Sequence, residues 1–168
     1  MCFCRKYNYE TPQLTDTTPY TQVVYGEYDA LRVYHSCSMQ SGVLERFNKS
    51  HKNIHAGPLV QAIWRADYKV NDQEAYPVAY VHEIVFKLGN VCPFLMPDPG
   101  YDVDQQQEDA YKPKYDTVLY HNTGEGFADR PNLSVIVLNK SNIVSVKFHS
   151  KWDAQSLQAY EQKHFRRS

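Results

Sequence analysis

The chain has 168 residues, a formal net charge of −1 and 42% apolar content, enough for one domain around a single core. So small a charge excludes a protein held bodily on nucleic acid or an anionic membrane by its overall field. No apolar run approaches the ~20 residues that span a bilayer and no signal peptide precedes the first polar residues, so a soluble, cytoplasmic protein is expected. Fourteen tyrosines suit either a wet cleft that binds rings or a strand-rich fold, where tyrosine packs well on a pleated surface. Cys2, Cys4, Cys37 and Cys92 match neither a disulfide framework nor a zinc spacing. Cys2-x-Cys4 is too tight and no second thiol pair follows, so reduced cysteines and no metal site are expected.

Residues 1–20 contain Thr15-Asp-Thr-Thr-Pro19 and little apolar periodicity, which predicts an extended N-terminal arm. Residues 21–168 are expected to form a single domain. Ala30 to His35 reads as a short strand. Met39 to Lys49 carries Val43, Leu44 and Phe47 at helical spacing. A polar turn then leads to Asn53-Ile-His55-Ala-Gly57, and Pro58 stands where a first helical residue belongs. Leu59, Val60, Ile63 and Trp64 make one apolar stripe continuing through Tyr68. Tyr76 to Leu88 is the clearest strand, and its two largely apolar faces mark it as central. Pro93 to Tyr111, with its prolines, Gly100 and a Gln-Gln-Gln-Glu-Asp run, reads as a long surface loop. Thr117 to Tyr120 is a strand running into a polar loop with Asn122 and Glu125, and Leu133 to Leu138 is the next strand. Ile143 to His149 forms a last strand and Lys151 to Arg167 a short C-terminal helix. The order predicts an α+β domain with a split, mostly antiparallel sheet and flanking helices.

Three segments carry a resemblance. Tyr115-Asp-Thr-Val-Leu-Tyr120-His-Asn122-Thr-Gly-Glu125 with Asn139-Lys-Ser-Asn-Ile143 resembles the C-terminal part of ADP-ribosyltransferase domains, particularly small phage and toxin types. Those show tyrosine-aspartate-glycine, an apolar stretch, Y-x-N-x-x-E and then an N-x-x-x-I turn. Val33-Tyr-His35-Ser-Cys37 looks like the Y-H-G-T strand end of the histidine-type members, with Ser36 in the glycine slot. Asn53 to Arg65 is similar to their G-T-x-x-A-x-x-R turn into a helix. The resemblance spans roughly residues 30 to 148 and implies an ADP-ribosyltransferase-like fold.

It also implies a chemistry. NAD would be the substrate, with His35 on the adenosine ribose and Ser36 offering backbone groups to the nicotinamide carboxamide. Gly57 would let the backbone approach the ligand at the turn that leads to Arg65. His55 and Tyr68 would stack on the pyridinium, an attraction of ~0.5–2 kcal/mol. Breaking the nicotinamide–ribose bond passes through an oxocarbenium-like state, which a carboxylate on the ribose stabilises. Glu125 is the residue expected to do this, with Asn122 orienting it or the ribose; Asp116 and Asp129 are secondary candidates. In the polymerase-type members the catalytic glutamate directly precedes the last apolar run, where this chain has Ser134. The acid has therefore either moved to Glu125 or been lost.

The implied activity is mono-ADP-ribosylation of a macromolecular acceptor, a host protein or nucleic acid, and the toxin context adds an antitoxin or inhibitor protein as a partner. Two alternatives stay open: a catalytically silent binding module of the same fold, and an NAD-dependent RNA 2′-phosphotransferase relative. The latter would call for more arginines than Arg32, Arg46 and Arg65 around the cleft. No G-x-S-x-G elbow or phosphate-binding loop competes.

Overall fold

The computed structural model describes residues 11–72, 76–96, 105–122 and 132–165. Glu125 and Asp129 lie outside them, as do Cys2 and Cys4. Along the chain run α1 (Tyr20–Val24), β1 (Ala30–Cys37), α2 (Val43–Lys49), β2 (Ile54–Ala56), α3 (Leu59–Asn71) and β3 (Ala79–Lys87). They are followed by α4 (Gln105–Tyr111), β4 (Thr117–Asn122), β5 (Asn132–Val137), a 3₁₀ turn at Lys140–Asn142, β6 (Ile143–Trp152) and α5 (Ala154–His164).

The fold is α+β with two small antiparallel sheets of three strands each, ordered β1-β3-β6 and β2-β5-β4. β3 is central, as its two apolar faces require. Ile84 and Phe86 face the main core, shared with Leu31, Val33, Leu119, Val135 and Val137 of the other strands. Ala79 and Val81, on the opposite face, pack under α3 and α5 with Ala62, Ile63, Ala66 and Leu157. β5 is buried along its whole length. Its second face meets Val118, Tyr120 and Cys92 in a third cluster.

Four expectations are corrected. The helix after Met39 starts only at Val43, because Gly42 takes a left-handed conformation (φ 72°) and breaks the chain direction there. On α3 the buried side chains are Gln61, Ala62, Ile63 and Ala66, so the inward face is rotated away from Val60 and Trp64. The two alanines let the helix backbone sit close to the sheet. Trp64 is too large for that gap and stacks on Tyr68 at 6.0 Å instead. The segment after Pro93 is not all loop. Met96 pairs with β4 through its N–H to the Leu119 carbonyl at 2.9 Å, and α4 forms at 105–111. The C-terminal helix begins at Ala154 rather than Lys151, where Asp153 and Ser156 exchange side-chain and backbone hydrogen bonds in a capping box.

Of the expected N-terminal arm, residues 11–14 are extended but packed. Leu14 and Arg32 join through the Leu14 N–H at 3.0 Å, and Leu14 is fully buried in the main core. Leu14→Ala is therefore expected to cost about 2–5 kcal/mol, as for a core leucine, and a denaturant melt measures it. A loss within experimental scatter would return this segment to the status of a surface arm.

Candidate functional site

The two sheets are joined by one antiparallel bridge among the described residues, Tyr34 to Gly57. The Tyr34 N–H donates to the Gly57 carbonyl at 2.8 Å and the Gly57 N–H donates back at 3.1 Å. Backbone groups alternate sides along an antiparallel strand, so the next pair would be Ser36 with His55. That pair never forms. The His55 carbonyl instead accepts from His35 Nδ1 at 2.8 Å, a side chain doing the work of the ladder. Past this point β1 and β2 diverge, and the opened edge of β1 borders a cavity of about 710 Å³, within the usual size of ligand sites. α3 walls it from one face of β1 with Gln61, Arg65 and Lys69, and α2 from the other with Arg46 and Phe47.

Of the residues expected to bind NAD, His35, Ser36, His55, Gly57 and Arg65 all line this cavity. Tyr68 is not among the lining residues; it lies on the outer face of α3, its ring under the Arg65 guanidinium at 4.7 Å. Asn122 is not on a loop but ends β4, buried opposite Asn132 and away from the cavity lining. Ser134 is fully buried and donates to Gln61 Oε1 at 2.6 Å. Asp116 is structural: its carboxylate accepts from the Asn90 N–H at 2.8 Å and Asn139 Nδ2 at 2.9 Å.

Gly57 has a different reason from the one expected. A Cβ there would lie 1.7 Å from Gln61 Oε1, so the vacant side-chain space is filled by the Gln61 carboxamide and not by a ligand.

His35 is half-buried and lines the cavity. Burial pulls its pKa down from 6.5 to about 4; the bond to the His55 carbonyl opposes this, and Lys69 adds to it. The imidazole is thus neutral near pH 7, with its proton on Nδ1 and Nε2 left as an acceptor. Phe47 meets its ring edge-on at 5.2 Å.

His55 Nε2 donates to Glu108 Oε1 at 2.5 Å and Asn53 Nδ2 donates to Glu108 Oε2 at 2.6 Å. Glu108 is buried, and burial by itself raises its pKa. The hydrogen bonds from His55 and Asn53 outweigh that and hold the carboxyl below its ordinary value. Sequence reasoning missed Glu108, which stands in a polar run without periodicity; only its long-range partners give it away. Two further atoms stand out. Ser36 Oγ and Asn53 Oδ1 are buried with no hydrogen-bond partner among the described residues, and both residues line the cavity. Buried polar groups are rarely left unpaired, so both are open to a polar partner, water or ligand, from the cavity. Cys37 Sγ, also on the wall, donates to the Met39 carbonyl at 3.2 Å; burial raises its pKa, which leaves it a poor nucleophile at neutral pH. No cluster of metal-ligating residues occurs among the described residues.

No family model, no curated protein and no solved structure matches this chain. No helix among the described residues is long and apolar enough to cross a membrane.

The two titrating groups set a pH response. His35 has a folded pKa below its unfolded value, so between pH 6.5 and about 4 the unfolded chain binds a proton that the folded chain refuses. Stability therefore falls as pH drops through that window. The Glu108 contribution is complete above the unfolded carboxyl pKa and is lost as pH falls through its lower folded value. Denaturant melts against pH are expected to show this acid-side decline, with His35 ring resonances still at pH 6.5 and moving only near about 4. A His35 midpoint at the ordinary value would contradict the enclosure described.

Proposed function

We propose that this protein is an NAD-dependent mono-ADP-ribosyltransferase with an ADP-ribosyltransferase-like split sheet, acting on a macromolecular acceptor. One observation carries the reading. His35, Ser36, His55, Gly57 and Arg65, singled out in two separate sequence segments for one ligand, border a single cavity at the divergence of two strands.

The chemistry of that lining supports it. Neutral His35 can accept from a ribose hydroxyl through Nε2. Ser36 Oγ is an unused polar group beside it, and the parity of the Tyr34–Gly57 bridge aims the Ser36 backbone N–H and C=O into the split, where a carboxamide can pair with both. Arg65 and Lys69 on α3 supply positive charge for a pyrophosphate. Glu108 is a positioning residue, since one oxygen holds His55 and the other holds Asn53. That leaves Glu125 as the carboxylate for the reacting ribose, with Asn122 close by in sequence. In the proposed reaction the nicotinamide–ribose bond breaks with its electron pair going to the ring nitrogen. The oxocarbenium-like ribose is then captured by an acceptor nucleophile, which gives up its proton.

The second reading, a silent NAD-binding module, draws on Ser134. It occupies the polymerase-type glutamate slot and is spent on Gln61, so no carboxylate reaches the cavity from there. Nicotinamide release in the presence of cell extract decides between the two. NAD is expected to bind by calorimetry, and His35→Ala to weaken it by about 1–3 kcal/mol. Glu125→Gln is expected to keep NAD affinity and the melting midpoint while losing about 10²–10³-fold in turnover, the loss seen on removing one preorganised contact. NAD binding without turnover in the unaltered protein would favour the silent module; no NAD binding at all would remove both readings.

A further inference from the structure

The cavity lining is charged out of proportion to the chain. Net charge is −1 overall, yet Arg46, Lys52, Arg65 and Lys69 all line the cavity, with Glu108 as the one acid among the described lining residues. The carboxylate of Glu108 is already engaged by His55 and Asn53. Arg65 and Lys69 lie on α3, whereas Arg46 and Lys52 lie on the α2 side. A second groove, of about 420 Å³, adjoins on that side; Arg46 and Ser50 line both, and Lys49 lines the groove. Arg46, Lys49 and Lys52 are exposed. They make no ion pair among the described residues, although Glu45 stands in the groove.

From this we infer that Arg46, Lys49 and Lys52 form a track for the backbone of a single-stranded nucleic acid, leading a base to the mouth of the cavity. Three cations follow one another at intervals of three residues, on the last turn of α2 and just beyond it, matching a chain of regularly repeated single negative charges. The C-terminal end of a helix would ordinarily repel phosphate. Here Lys140 Nζ donates to the Phe47 and Ser50 carbonyls and offsets that end of α2. On the cavity rim Tyr76 is 43% exposed and offers a flat face on which a base can stack, the sequence-tolerant element of single-strand recognition. A basic track that shares its cavity with an exposed aromatic ring on the α3 side fits nucleic acid better than an acidic protein, whose carboxylates have no use for a stacking face. A duplex cannot present a base to an enclosed site without unpairing it, which points to a single strand. The inference deepens the transferase reading by naming the acceptor class, while the binding itself stands without NAD.

The test is fluorescence anisotropy with labelled single-stranded RNA and DNA oligonucleotides of mixed sequence, at low salt and without NAD. Binding is expected, with log K falling against log salt at a slope of about −2, roughly three phosphate contacts at 0.7 each. Arg46→Gln with Lys49→Gln is expected to flatten that slope by about 1.4 and to weaken binding at least tenfold, with an unchanged melting midpoint. Tyr76→Ala is expected to weaken binding at an unchanged slope. Absence of binding at low salt would overturn the inference. So would equal competition by a polyglutamate peptide, which would indicate an acidic protein partner, or equal binding of duplex. Because NAD is left out, each of these three failures leaves the NAD reading standing, and a failure to bind NAD leaves this one standing.

Discussion

The bridge between Tyr34 and Gly57 is the constraint on which the site depends. Two hydrogen bonds fasten the β1-β3-β6 sheet to the β2-β5-β4 sheet at one residue pair, and immediately beyond it the ladder stops. A continuous ladder would close the edge of β1 and leave no cavity; without the bridge the two sheets would still share the main core, but the point at which β1 and β2 part would not be fixed. The pairing needs a residue without a side chain, because Gln61 Oε1 occupies the place a Cβ would take. Gln61 is itself held from behind by Ser134. A glycine, a helix carboxamide and a buried strand hydroxyl thus fix the point at which the strands part.

From that point a chain of polar contacts holds the gap open in a defined shape. His35 on β1 donates to the β2 backbone, His55 on β2 reaches Glu108 on α4, and Asn53 grips the other carboxylate oxygen. Three elements remote in sequence are tied across the cavity by side chains instead of by sheet pairing. The same enclosure determines protonation. It keeps His35 neutral and Cys37 a thiol, while hydrogen bonds keep Glu108 ionised. What results is a polar, hydrogen-bonding interior with a cationic rim, suited to a ligand that carries hydroxyls, an amide and phosphate.

Much of the scaffold was legible because its signals are local. Alternation marked β3, and apolar β-branched runs marked β5 and the first part of β6. The rotation of α3 was not, since Val60 and Trp64 are as apolar as the residues that turn inward; only the closeness of the sheet selects Ala62 and Ala66. Leu14 gave no periodic pattern, being a single side chain plugged into the core. Of the cavity lining, His35, Ser36, His55, Gly57 and Arg65 had been singled out in the sequence through two short motifs. Glu108 was invisible by the same logic, because its role comes from partners more than fifty positions away. Gly57 was singled out for a reason of close approach, and the group that approaches it proved to be Gln61.

The most direct measurement is histidine-selective NMR of the intact protein during addition of NAD. The rings of His35 and His55 lie on the two strands that diverge at the cavity, while His164 ends the terminal helix and is not among the cavity lining residues. The account predicts that the His35 and His55 resonances move together along one saturation curve while His164 stays in place. Saturating NAD that leaves both rings unmoved, or moves His164 instead, would contradict the assignment of this cavity to NAD.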